Sequence, residues 1–312
     1  MRCLTVLSLF IAFSNGAGAQ PATPLSDTQA ADPEPFQISV SLDLVALQAA
    51  VHDRRGGFAS DLREEDFQVY EDGVRQAIRL FRHEDVPVTV GLVVDHSGSM
   101  KKKLPEVIAA ARTFVRSSNP EDQMFVINFN EKVSLGLPAA VPFSDQADQL
   151  EAAIGRTPAA GQTALYDAVS GALARLKSGN REKKALIVIS DGGDNASKLG
   201  LAGALKLAGE SNAVIYTIGI YDADDPDKNP AVLRKLARAT GGEAYFPDEV
   251  NEVVAICEQI AIDIRHQYTI GYVSGNTAKA PEYRAVRVVA RSAGKDLTVR
   301  TRAGYFSQEG AR

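Results

Sequence analysis

The stretch Val88-Thr-Val-Gly-Leu-Val-Val-Asp-His-Ser-Gly-Ser-Met100 decides the fold, because an uninterrupted apolar run ends abruptly in polar side chains. A continuous apolar strand is expected in a sheet that helices cover on both faces. Asp95, Ser97 and Ser99 place small oxygen donors on one short loop, and such donors suit a hard cation such as Mg²⁺. Gly98 lets the loop turn tightly. The alternative is a polar loop in which Ser97 or Ser99 caps the next helix.

Downstream of this stretch, the pattern alternates between buried strands and amphipathic helices. Further strands are predicted at 124–129, 185–189, 214–220 and 244–246. Helices are predicted at 104–115, 145–154, 164–176, 199–208, 231–239 and 250–262. Repeated strand–helix units predict an α/β fold with a doubly wound, mostly parallel sheet of the Rossmann-like kind.

Composition sets the class of protein. The chain has 312 residues, which is enough for one large domain and a smaller one. Hydrophobic residues make up 45% and charged residues 23%, an ordinary globular balance. The net charge of −5 argues against a nucleic-acid binder.

The N-terminus predicts export. Arg2 is followed by an apolar segment, 4–13, and by the small-residue pattern Ala17-Gly-Ala19, which together are typical of a signal peptide over 1–19, cleaved after Ala19. The alternative is a buried N-terminal strand. Residues 20–35 are rich in Pro, Ala, Thr, Ser and Asp and predict a flexible linker. No other apolar stretch is long enough to cross a bilayer, so we expect a secreted or periplasmic protein without a transmembrane segment.

The regions on either side of the α/β part predict strands. The segments 36–86 and 264–307 alternate apolar and polar residues and contain Asp-Gly and Gly-Gly turns. Each is too small to bury much core alone. We therefore expect the two to pair into one small β-sandwich-like domain, with the α/β domain, 87–263, inserted in it. The alternative is two separate β appendages.

Two more loops are expected to lie next to the loop that holds Asp95, Ser97 and Ser99. Binding sites in open α/β sheets lie at the carboxyl ends of the strands. Thr163 lies just before the helix predicted from 164, and Asp191 follows the strand predicted at 185–189. Three loops that are distant in the chain would therefore converge on one cation.

The combination Asp95-His-Ser-Gly-Ser99, Thr163 and Ser190-Asp-Gly192 resembles the metal-ion-dependent adhesion site of von Willebrand factor type A domains. The resemblance covers residues 87–262, and all five side-chain positions of the site are present. It implies the Rossmann-like fold and a bound Mg²⁺, with Mn²⁺ or Ca²⁺ as alternatives.

The resemblance also implies a role for each of these residues. Ser97, Ser99 and Thr163 are expected to coordinate the metal or to hold its waters. Asp95 and Asp191 are expected to act mainly through water and to balance the charge. The open coordination position is expected to take a carboxylate from a protein partner.

The flanks carry a second resemblance. The stretches Asp66-Phe-Gln-Val-Tyr-Glu-Asp-Gly73, Gln267-Tyr-Thr-Ile-Gly-Tyr272 and Gly304-Tyr305 are similar to those of type A proteins of acidobacteria. This likeness brings no known activity with it.

These observations predict a binding or adhesion module and no enzyme, since no nucleophile–base arrangement is present. One alternative is a metal-assisted hydrolase, which needs a general base near the open position. His96 is the only nearby residue of that kind. Another is a structural envelope protein that binds through its β domain.

Overall fold

The computed structural model describes residues 44–53, 56–221, 225–249, 252–276, 282–292 and 294–307. All of these residues fall in one compact unit, Leu42–Arg312. The predicted signal peptide, 1–19, the predicted linker, 20–35, and the first residues of the predicted β segment, 36–43, lie outside the described residues.

Strands and helices alternate through most of the chain. The strands are β1 (Leu44–His52), β2 (Phe67–Glu71), β3 (Val74–Gln76), β4 (Ile78–Arg82), β5 (Val88–Asp95), β6 (Gln123–Phe129), β7 (Val133–Leu135), β8 (Lys183–Ser190), β9 (Ala213–Gly219), β10 (Ala244–Tyr245), β11 (Tyr268–Val273), β12 (Tyr283–Ser292), β13 (Lys295–Asp296), β14 (Thr298–Arg300) and β15 (Gly304–Phe306). The helices are α1 (Leu104–Ser117), α2 (Ala147–Ile154), α3 (Leu165–Leu176), α4 (Leu201–Glu210), α5 (Pro230–Thr240) and α6 (Glu252–Arg265), with short 3₁₀ turns at Glu64–Asp66 and Gly98–Met100.

The central sheet has the strand order β10-β9-β8-β5-β6-β7. Every neighbouring pair is parallel except β6 and β7, which are antiparallel. All residues of β5 are buried, as expected for a strand in the middle of a covered sheet. The fold class predicted from the sequence is confirmed, and the short edge strand β7 is an addition to it.

Helices cover both faces of this sheet. On one side α1 packs against α2 and α6, and on the other α4 packs against α3 and α5. Each helix turns apolar side chains inward, such as Phe114 of α1, Leu165 of α3 and Leu236 of α5. None of the described helices has the length and apolar character needed to cross a bilayer.

Strands from the two flanks pair with each other. One sheet has the order β14-β1-β11-β4, and the other has the order β13-β12-β2-β3, with β15 paired to β12. Both are antiparallel, and they share a core that includes Leu47, Val69, Tyr268 and Val288. The two flanks therefore form one two-sheet β unit, as the sequence predicts. The α/β part is inserted between them in the chain.

The chain from Val74 to Arg82 forms two short strands that belong to different sheets. Val74–Gln76 pairs with β2 in one sheet, and Ile78–Arg82 pairs with β11 in the other. The chain changes sheet at Ala77, as corner strands of sandwiches do. Alternation of apolar residues continues through such a corner, so the sequence pattern does not show it.

The β unit joins the α/β part at the amino edge of the central sheet. The chain enters at Val88 and leaves at Arg265, which forms an ion pair of 2.6 Å with Asp85 just before β5. At about 3.3 Å per residue, the length of β5 separates this edge from Asp95 by roughly 23 Å. The carboxyl edge of the sheet is therefore the end away from the β unit.

Candidate metal centre

Asp95 is the last residue of β5 and is fully buried. Its Oδ1 accepts a hydrogen bond of 2.8 Å from the Ser97 backbone N–H. Its Oδ2 accepts a bond of 2.6 Å from the Ser190 hydroxyl. Ser190 ends β8, which pairs with β5, so the parallel register itself brings the two side chains together. Sequence reasoning named Asp191 at this strand end and missed Ser190, although its place beside Asp191 was a usable signal.

Ser97, Ser99 and Asp191 form a hydrogen-bonded chain beside Asp95. The hydroxyls of Ser97 and Ser99 lie 3.0 Å apart, and Ser99 Oγ donates to Asp191 Oδ2 at 2.5 Å. Asp191 Oδ1 accepts a bond of 2.9 Å from the Gly193 backbone N–H. Four of the predicted residues are therefore connected directly, across two loops that are far apart in the chain.

Thr163 lies on the third loop, between the other two. The Gly98 N–H donates to the Gly161 carbonyl at 3.2 Å, which ties this loop to the first one. The Thr163 N–H donates to Asn195 Oδ1 at 2.9 Å, and the Thr163 carbonyl accepts from the Asn195 N–H at 3.0 Å. Thr163 is buried, and its hydroxyl makes no hydrogen bond within the described part of the chain. These backbone bonds hold Thr163 in place and leave its hydroxyl oxygen available to bind a metal ion.

Carboxylates next to the site fix the loop that follows Asp191. Asp194 Oδ2 accepts bonds from the Tyr166 N–H at the start of α3 and from the Ser197 hydroxyl. Asp167 accepts from the backbone N–H of Lys198. The bond from Tyr166 satisfies an N–H at the start of α3 that has no partner inside the helix, and the bonds together anchor the loop after Asp191 to α3.

The two buried carboxylates of the site repel each other. Burial and, second to it, the charge of Asp191 together raise the pKa of Asp95 to about 7, against the opposing effect of hydrogen bonds from Ser190 and Ser97. Across the described residues, no Lys, Arg or His forms an ion pair with Asp95 or Asp191. Burying a carboxylate without a compensating charge is unfavourable. Among the described residues, the two carboxylates therefore lack a compensating positive charge.

The donor set fits a hard divalent cation. Two carboxylates and three hydroxyls offer only oxygen atoms, which Mg²⁺ and Ca²⁺ prefer. Within the described ranges, no group of three or more His, Cys, Asp or Glu side chains is placed to hold a metal ion. The site differs from such clusters because three of its five side chains are neutral hydroxyls.

The position of His96 gives no support to its role as the base of a hydrolase. Its side chain is fully buried, and burial lowers its pKa. Its backbone N–H donates to Phe129 and its carbonyl accepts from Ala160, so the residue bridges two neighbouring loops. A general base must be within hydrogen-bond reach of the substrate or its water. His96 is a structural residue of the loop.

Comparison with known proteins agrees with this architecture. Residues 90–193 match the family model of the von Willebrand factor type A domain. No curated protein sequence matches the chain. Among solved structures, the chain is similar to a von Willebrand factor type A protein from Catenulispora acidiphila, with 16% identity and a TM-score of 0.53, over 78% of this chain and 73% of that one. It is also similar to the vWF domain of the type V pili tip protein Mfa5 from Porphyromonas gingivalis, with 15% identity and a TM-score of 0.49, over 63% of this chain and 99% of that one.

Proposed function

We propose that this protein is an exported binding module that recognises a carboxylate on a protein partner, because residues 90–193 match the family model of the von Willebrand factor type A domain. A divalent cation, Mg²⁺ in the first place, would be held by Asp95, Ser97, Ser99, Thr163 and Asp191. The observation that carries the proposal is the pair of buried carboxylates, Asp95 and Asp191, which form no ion pair with a Lys, Arg or His among the described residues. The protein would bind and not catalyse.

The hydroxyls explain why a partner carboxylate would be preferred. Neutral Ser and Thr oxygens would compensate the positive charge of a bound cation only in part. Asp95 and Asp191 are already engaged by Ser190, Ser99 and backbone N–H groups, which orients their free lone pairs. An anionic oxygen from outside the chain would therefore complete the coordination.

The position of the site suits recognition of another molecule. It lies at the carboxyl edge of the central sheet, and the β unit joins the opposite edge. A partner could approach without contacting the β unit. The predicted signal peptide over 1–19 supports export, which places such a partner outside the cytoplasm.

A capture experiment tests the proposal. Immobilised wild-type protein and the Asp95→Ala variant are incubated with envelope extract, in Mg²⁺ and in EDTA. The Asp148→Ala variant is the matched control, because Asp148 is an exposed aspartate on α2. We expect a partner that is captured by wild type and by Asp148→Ala in Mg²⁺ only, and that is not captured by Asp95→Ala. Capture that survives both EDTA and Asp95→Ala would contradict the proposal and favour binding through the β unit.

A further inference from the structure

We propose that a cavity between α5, β10 and β14 binds a phosphate group, either on a soluble molecule or on a lipid headgroup. The cavity has a volume of about 360 Å³, and its lining includes Arg234, Arg238 and Arg300. None of these residues belongs to the candidate metal centre, so the inference is independent of the function proposed above.

Two of the arginines form an unfavourable pair. Arg234 and Arg238 lie four residues apart on α5, one turn from each other, and both line the cavity. Like charges at this spacing destabilise a helix. In the described part of the chain, neither forms an ion pair with a carboxylate, and the guanidinium of Arg234 lies 4.3 Å from the centre of the Phe246 ring. The helix thus keeps two cations one turn apart, with no ion-paired carboxylate among the described residues.

The acidic residue of the lining is already neutralised. Glu243 forms an ion pair with Arg300. Arg300 also donates from Nη2 to both carboxylate oxygens of Asp263 at 2.9 Å. The charge of Arg300 is therefore compensated by its neighbours, and the charges of Arg234 and Arg238 are not. The cavity carries an excess of positive charge.

The helix dipole accounts for only part of this arrangement. Arg238 is in the last turn of α5, where a cation interacts favourably with the carbonyl ends of the helix. Arg234 lies one turn earlier, beyond the range in which that effect is strong. An anion bound between the two guanidiniums would explain both positions.

Close packing shapes the walls of the cavity in advance. Gly241 follows α5 with φ +82°, and a Cβ at this residue would lie 2.4 Å from the backbone of Thr301. A Cβ at Gly242 would lie 2.0 Å from the carbonyl oxygen of Ile215. The end of α5 is therefore held tightly against both β9 and the segment after β14. A preformed site of this kind binds its ligand without first ordering a loop.

The chemistry of the lining selects the class of ligand. Guanidinium groups present planar forks of N–H donors that match phosphate oxygens in pairs. A cavity of about 360 Å³ is at the small end of ligand sites and would hold a phosphate with a short attached group. The same chemistry would receive a free phosphate ester or the headgroup of an anionic phospholipid.

Titration calorimetry tests the inference, with inorganic phosphate and glycerol phosphate as probes in phosphate-free buffer. The variants are Arg234→Gln and Arg238→Gln. The matched control is Arg116→Gln, because Arg116 is an exposed arginine in the last turn of α1. A parallel flotation assay uses vesicles of phosphatidylglycerol and of phosphatidylcholine.

We expect saturable binding of at least one phosphate probe or of the phosphatidylglycerol vesicles. Each cavity variant should weaken this binding about tenfold or more, since a charge-assisted contact is lost, and Arg116→Gln should leave it unchanged. Binding of the soluble probes alone identifies a soluble ligand, and binding of anionic vesicles alone identifies a headgroup. The variants should melt at the wild-type temperature or above it, because like-charge repulsion is removed. Absence of binding to every probe, or equal binding by wild type and Arg238→Gln, would overturn the inference.

Discussion

The buried carboxylate of Asp263 and the two buried carboxylates of Asp95 and Asp191 lie at opposite edges of the central sheet, and the two clusters around them differ in what balances this charge. Asp263, near the end of α6, accepts bonds from Arg300 at 2.9 Å and from the Tyr216 hydroxyl at 2.5 Å. Asp95 and Asp191 accept bonds only from hydroxyls and backbone N–H groups within the described residues. One cluster is complete by itself, and the other lacks a cation.

The difference separates a structural role from a binding role. Burial raises the pKa of both Asp263, to about 6, and Asp95, to about 7, but only Asp95 has a second carboxylate as a further cause. Asp263 joins α6 to β14 and so connects the α/β part to the β unit. Asp95 and Asp191 make no such connection with a cation. Three substitutions test this contrast, beginning with the largest expected effect.

Replacement of Arg300 should have the largest effect on stability. Arg300→Leu leaves the buried carboxylate of Asp263 without its guanidinium, and breaking a buried ion pair in this way costs about 3–5 kcal/mol. We expect this loss in the free energy of unfolding, measured by urea denaturation, to be the same with and without Mg²⁺.

An exposed ion pair provides the control for Arg300. Arg112 bonds to Asp148 and Glu151 on the surface of α1 and α2. Arg112→Leu should cost less than about 1 kcal/mol, because exposed pairs contribute little. If the two substitutions had equal effects, the Asp263 cluster would not have the structural role assigned to it.

Neutralisation of Asp95 should raise the free energy of unfolding, whereas replacement of Arg300 should lower it. In metal-free protein at pH 8, Asp95→Asn removes the repulsion with Asp191 and the need to bury one charge. We expect the variant to be more stable than wild type, by on the order of 2 kcal/mol, in denaturation with EDTA present. A loss of stability under these conditions would show that the carboxylate is compensated by the chain itself.

The gain in stability from Asp95→Asn should depend on pH, which provides a further check. The pKa of Asp95 rises from 3.8 to about 7 on folding, so the native state binds more protons than the unfolded state between these values. The free energy of unfolding of metal-free wild type should therefore fall as the pH rises through this window. Asp95→Asn lacks this titration, so its advantage should be full above pH 7 and should disappear as the pH falls towards 4.

Removal of the Ser99 hydroxyl should have the smallest effect of the three. Ser99→Ala deletes the donor to Asp191 Oδ2, which should lower the free energy of unfolding of metal-free protein by about 1 kcal/mol. Ser118→Ala is the control, because Ser118 Oγ donates only to the Phe114 carbonyl and should matter less. An effect of Ser99→Ala no larger than that of Ser118→Ala would show that the hydroxyl does not hold Asp191 in place.

Much of the α/β part could be predicted because its signals are local. The apolar run from Val88 to Val94 ends within one residue of β5, and Gly241 marks the end of α5 by its left-handed conformation. The strand β7, Val133–Leu135, could not be predicted, since three exposed residues on a sheet edge carry no periodic pattern. The change of sheet at Ala77 could not be predicted either. It depends on which distant strands β3 and β4 pair with, and the local pattern does not contain this information.

The candidate metal centre shows the same division between local and long-range signals. The rule that sites lie at strand ends brought Asp95, Ser97, Ser99 and Asp191 together correctly. The place of Ser190 beside Asp191 was a local signal, but its bond to Asp95 depends on the register between β5 and β8, which the sequence does not show. The pairing of Arg300 with Asp263 was also beyond sequence reasoning, since the two residues lie on different elements that only the folded chain brings into contact.

The central claim is that the cluster of Asp95 and Asp191 needs a cation that the chain does not supply, and calorimetric titration of Mg²⁺ at pH 8 tests it most directly. Wild type and the exposed control Asp148→Ala should each bind one Mg²⁺ saturably. Asp191→Ala should bind at least about a hundredfold more weakly, because about half of the site's negative charge is lost. Absence of Mg²⁺ binding by wild type, or equal binding by Asp191→Ala, would contradict the claim.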